Sequence, residues 1–222
     1  ADSGAAAAPA FDPAAYRRAV GEANRAMREQ DWKSAEENLQ QALGMRPDAK
    51  EVAYNLGVAK FQLGDFAGAR KMFQESAQNA TADLAARSMY NQGNAIYADA
   101  LKKLPQKPQG STPSDPPATP QIPPEELQKA LQQVEQAFTH FKDAAAAAPG
   151  DEDSAANAET SLKLMKELKK LQQQQQQQQQ DSKNQQKQSE QQKQQEQKQS
   201  SDQQQSQDSQ PKDSNQQQQQ QK

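Results

Sequence analysis

One histidine and no cysteine make a thin inventory for chemistry. His140 lies between Thr139 and Phe141 in a helical pattern, with no second histidine at a spacing that would complete a metal pair. It reads as an ordinary helix-surface residue. Without cysteine there is no thiolate nucleophile and no disulfide, and every compartment stays open. Two acidic clusters remain. Glu36-Glu37 falls on a solvated helix face, and Asp151-Glu152-Asp153 stands at a helix start, where the dipole favours negative charge. The glycines form no phosphate-cradling loop. Since no nucleophile, base and orienting group can be assembled, the sequence predicts a protein that is not an enzyme, with no catalytic residue, metal or cofactor.

The composition divides the chain. After Leu171 no apolar residue occurs, more than half the residues are Gln, and six Lys balance six acidic side chains. Such a segment buries too little apolar surface to offset an ordering cost of about 1–2 kcal/mol per residue. The tail, 172–222, is therefore expected to be disordered, with the first Gln run adding at most a turn or two of helix. Residues 1–171 carry 20 basic and 23 acidic side chains, which gives no electrostatic footprint for nucleic acid or anionic lipid. No apolar run approaches the roughly 20 residues that span a bilayer. The opening ADSGAAAAPA reads as a processed, exported chain or a trimmed one, and 1–11 as a disordered segment.

Within 1–171, pairs of like residues recur at a spacing of 34: Ala23 with Gly57, Asp31 with Asp65, Trp32 with Phe66, Ala35 with Ala69, Leu39 with Phe73 and Ala42 with Ser76. Small residues allow close helix approach, large ones fill the space between hairpins, and Gln30-Asp31 and Gly64-Asp65 supply turns. Pro47 stops the second helix of the first unit. The stretch YNLGVAKFQLGDFAGARKMF, 54–73, resembles the tetratricopeptide repeat (TPR), with Asn55, Leu56, Gly57, Gly64, Ala69 and Phe73 at the family's positions. The resemblance implies an all-α fold: a short TPR α-solenoid of about three helical hairpins plus a capping helix.

The expected repeats span about 16–49, 50–83 and 86–150 inside a domain at 12–171. The third opens at YNQGNAIY, 90–97, and resumes at Ala137, Phe141, Ala144 and Pro149. Between lies a Pro-rich insertion at 105–124; the stretch 102–126 holds eight of the 13 prolines, which no helix or strand interior tolerates. The capping helix at 151–171 is expected to bury Ala155, Ala158, Leu162, Met165 and Leu168 along one stripe.

The order of YNQGNAIY, FKDAAAAAPGDEDSAANAE, SLKLMKELKKL and a Gln run resembles periplasmic TPR proteins of the Bacteroides-aerotolerance (Bat) type. That resemblance implies a scaffold in a bacterial envelope complex, related to stress or aerotolerance. Its implied partners are membrane-anchored von Willebrand A-type proteins and a AAA+ ATPase, and its implied location is periplasmic or envelope-associated; a cytoplasmic location is the alternative. A TPR/Gln-rich transcriptional co-regulator is the rival reading. By helical phase, the first helices should line a concave groove with Arg17, Asn24, Arg28, Tyr54, Phe61, Arg87, Tyr90, Asn94 and Tyr97, a set suited to a protein or peptide partner. Asn24, Asn55 and Arg87 match positions of the carboxylate clamp of some TPR chaperone adaptors; Val20 and Asn91 stand where that clamp needs basic residues.

Overall fold

A computed structural model describes residues 11–104 and 122–207. Seven helices and no strand occur among them: α1 Pro13–Arg28, α2 Trp32–Met45, α3 Lys50–Gln62, α4 Phe66–Ala77, α5 Ala82–Lys103, α6 Pro124–Ala147 and α7 Glu152–Gln207. They divide into two units, 1–172 and 173–222. In the first unit, α1/α2, α3/α4 and α5/α6 form hairpins stacked in chain order. The third opens at Ala82, earlier than the expected 86, because Thr81 accepts the backbone N–H of Leu84 at 3.4 Å and so caps a longer helix.

The first two hairpins turn in the same way. Gln30 (φ 59°) and Gly64 (φ 78°) take the left-handed conformation that ends a helix. The next residue caps the returning helix: Asp31 accepts from Ser34 N at 3.1 Å, and Asp65 from Gly68 N at 2.9 Å. Leu39, Phe73 and Phe141, one in the second helix of each hairpin, are all but fully buried, and each is worth about 1.5–3 kcal/mol of burial. A Cβ added to Gly57 would lie 2.7 Å from Phe73, and one added to Gly93 would lie 2.7 Å from Phe141. The glycines are there because aromatic rings fill the place of a side chain.

The third hairpin is longer. Helices α5 and α6 have 22 and 24 residues, against 13 and 12 in the second hairpin. The added turns build their own core from Ala100, Ile122, Leu127, Ala130 and Val134, joined by Met165 and Leu168 of α7. This shortens the insertion expected at 105–124: Ile122 is buried and α6 begins at Pro124, since a proline suits the first turn of a helix. Residues 105–121 lie outside the described residues, as do 1–10. Phe11, expected to be disordered, packs its ring 5.8 Å from that of Tyr16.

Helix α7 takes the place of the first helix of a fourth unit, and no second helix follows it among the described residues. Its inward row is Ser154, Ala158, Ser161, Met165 and Leu168. Ser154, Ala158 and Ser161 match Ser88, Gln92 and Ala95 in α5 and Val52, Leu56 and Ala59 in α3, all buried. The stripe expected from the sequence is therefore corrected: Ala155 and Leu162 are exposed. The helical register decides this: Ser154 and Ser161 fall in the inward row, and Leu162, one residue beyond Ser161, falls outside it. Where α3 and α5 have Gly57 and Gly93, α7 has Glu159, exposed and paired with Lys163 at 2.8 Å. A charge thus stands where the two earlier units have a glycine against an aromatic ring.

The expected disorder of the tail is also corrected as far as Gln207. In the second unit, residues 173–207 continue as helix, with the described side chains almost all exposed. Gln, Lys and Glu are good helix formers, and a helix already begun by packed turns escapes the cost of nucleation. Residues 208–222 lie outside the described residues. No described helix is long and apolar enough to cross a membrane.

Candidate functional site

The first helices α3, α5 and α7 are joined by a ladder of side-chain hydrogen bonds. Asn91 Nδ2 donates to Tyr54 Oη at 2.8 Å, crossing from α5 to α3. Asn157 Nδ2 repeats that rung from α7 to α5, donating to Tyr90 Oη at 3.1 Å. Asn157 Nδ2 also reaches Asn94 Oδ1 at 3.2 Å, and Asn94 Nδ2 donates to Asn91 Oδ1 at 3.3 Å. Each tyrosine ring also backs onto the buried aromatic of its own hairpin, Tyr54 on Phe73 at 5.6 Å and Tyr90 on Phe141 at 5.8 Å.

Among the residues expected to line the groove, Tyr54, Tyr90 and Asn94 thus belong to this ladder. Arg87 lies beside it, ion-paired to Asp83 at 2.8 Å with its guanidinium 5.4 Å over the Tyr54 ring. Burial pushes the Tyr54 hydroxyl pKa up, against the opposing pull of Arg87. Phe61 is half-buried, its ring 5.4 Å from Phe66. Tyr97 packs against the cores of the third hairpin, and burial, then the charge of Glu167, raises its pKa.

The remaining three come from α1. Arg17 and Arg28 are exposed and Asn24 is half-buried. The α1 position matching Tyr54 and Tyr90 is Val20, which has no hydroxyl, so the first rung is missing. Asn55, the counterpart of Asn91, therefore makes no side-chain hydrogen bond among the described residues. The recurring Tyr-Asn pairs at 54–55 and 90–91 are the sequence signal for the ladder. Asn157 lacks that tyrosine neighbour, so its part in the ladder is visible only in three dimensions.

The groups that first suggested chemistry are engaged structurally. Lys60 joins Glu36 at 2.6 Å to Asp65 at 3.0 Å, tying α2 to the α4 cap. Asp151 accepts from the backbone and hydroxyl of Ser154 at the start of α7. His140 is half-buried, a correction to its reading as a surface residue: the face of α6 that carries it turns partly inward. Burial holds its pKa below 6.5, with Asp143 opposing and Arg70 assisting. Among the described residues no group of three or more His, Asp or Glu is placed to hold a metal ion.

Residues 20–84 match the tetratricopeptide repeat family model. The matched segment covers α2, α3, α4 and most of α1, and the described fold of the first unit is all-α and of the TPR solenoid type. No curated protein matches the chain. Among solved structures, a mutant O-GlcNAc transferase from Thermobaculum terrenum is similar at 18% identity and a TM-score of 0.46, over 70% of this chain and 23% of that one. The chain thus spans less than a quarter of that protein's length.

Proposed function

We propose that the chain is a non-catalytic scaffold that holds a protein or peptide segment against the face of its first helices. The match of residues 20–84 to a repeat whose general role is protein–protein interaction carries this reading. The half-buried Phe61 and the exposed Arg17 and Arg28 on that face support it, because aromatic anchors bring contact area at low entropic cost and guanidinium groups make charge-assisted hydrogen bonds.

The finer reading is a Bat-like component of a bacterial envelope complex, periplasmic or envelope-associated, with membrane-anchored von Willebrand A-type proteins and a AAA+ ATPase as partners. Its support is the order of repeat, hairpin, capping helix and Gln run along the chain. Capture from the source organism's membranes tests it. The full chain should retain a von Willebrand A-type protein, and Phe61→Ala should release it while circular dichroism stays unchanged. Retention that survives Phe61→Ala but is lost on deletion after Leu171 would transfer the binding role to the Gln-rich segment.

A further inference from the structure

Building on that reading, we infer that recognition is confined to the α1–α3 part of the face and that its occupant is an extended segment carrying acidic side chains. The hydrogen-bond ladder decides the location. In the α5–α7 part, Asn91 and Asn94 each have both ends of the amide engaged, the Tyr90 hydroxyl is held by Asn157, and Arg87 is paired with Asp83. A ligand there would have to break protein–protein hydrogen bonds to make its own, for little net gain.

The other part is open. Val20 leaves Asn55 without its rung, and the amides of Asn24 and Asn55 and the guanidinium of Arg28 make no side-chain hydrogen bond or ion pair among the described residues. An amide offers one donor and one acceptor edge, which suits the alternating groups of an extended peptide backbone.

Charge gives the chemistry of the occupant. Arg17, Arg18 and Arg28 are exposed on α1, and Arg25 is engaged by Glu29 at 3.0 Å. Against these stand Glu22 on the same helix, Asp12, which caps it, and Glu51 at the start of α3. These charges balance in number, three against three, but they are not evenly spread: the row Arg17, Asn24 and Arg28 carries two exposed guanidinium groups and no acidic side chain.

The test uses the full chain and an array of short random peptides blocked at both ends, so that no terminal carboxylate contributes. Peptides retained should be enriched in Asp and Glu. The strongest, made synthetically and titrated by fluorescence anisotropy, should lose about tenfold or more in affinity on Arg17→Gln with Arg28→Gln, and again on Asn55→Ala. Tyr97→Phe and Thr160→Ala, the latter at the exposed α7 position that matches Asn94 of α5, should change it by less than about twofold. Retained peptides that are weakened by Phe61→Ala but indifferent to the arginine and Asn55 changes would overturn the inference and spare the scaffold reading. Peptides indifferent to every change on this face would overturn both.

Discussion

Gly93 and Phe141 occupy one another's space: a Cβ at Gly93 would lie 2.7 Å from the Phe141 ring, while nothing lies within 4 Å of one placed on Gly21. Both glycines are in helix interiors, so the same kind of substitution should act in opposite directions. Gly93→Val should cost about 1–3 kcal/mol by overpacking. Gly21→Ala should stabilise by about 0.5–1 kcal/mol through helix propensity alone. Urea unfolding followed by circular dichroism measures both, and equal signs would mean that the ring does not set the approach of these helices.

Two buried serines should likewise diverge. Ser161 Oγ is buried with no hydrogen-bond partner among the described residues, whereas the Ser88 hydroxyl donates to Ser76 at 3.2 Å. An unsatisfied buried hydroxyl costs about 1–3 kcal/mol. Ser161→Ala, which restores the residue type of Ala59 and Ala95, should therefore raise stability by roughly 1 kcal/mol. Ser88→Ala leaves Ser76 unpaired and should lower it by a similar amount. Thermal unfolding of the two variants against the parent decides the matter.

The pH dependence of stability should carry a contribution from His140. Burial lowers its pKa in the fold below 6.5, so the unfolded chain takes up its proton first. As pH falls below about 6.5, the unfolded state binds more protons and stability drops, a loss completed once pH passes the lower value in the fold. His140→Gln should flatten this decline between about pH 7 and pH 5.5, with little change above pH 7. A decline of unchanged slope would show that other groups produce it.

Deleting the chain after Leu171 should remove helix as well as mass. The described side chains of residues 173–191 have no core to join, so their helix should melt gradually on heating, without a cooperative transition. The first unit should keep its own transition. Equal numbers of helical residues by circular dichroism in full-length and shortened chains would contradict a helix reaching Gln207.

The hairpins were legible in the amino-acid sequence. Small and large residues repeating at a spacing of 34, with an aspartate after each turn, encode contacts between neighbouring helices, and local periodicity suffices to read those. Phe73 and Phe141 could be located in this way, and so could the Tyr-Asn pairs. Which groups are already engaged could not be read in this way. Whether Asn91 faces a ligand or Tyr54 depends on the residue opposite it on another helix, and Val20 opposite Asn55 makes the difference between a closed rung and an open one. The inward row of α7 differs from the stripe expected in the sequence for the same reason: Ser161 is buried and Leu162 exposed, which depends on how the helix is turned against its neighbours and not on which of the two is apolar. Helix in the Gln-rich segment depends in turn on the packed helix that starts it, which its own composition does not contain.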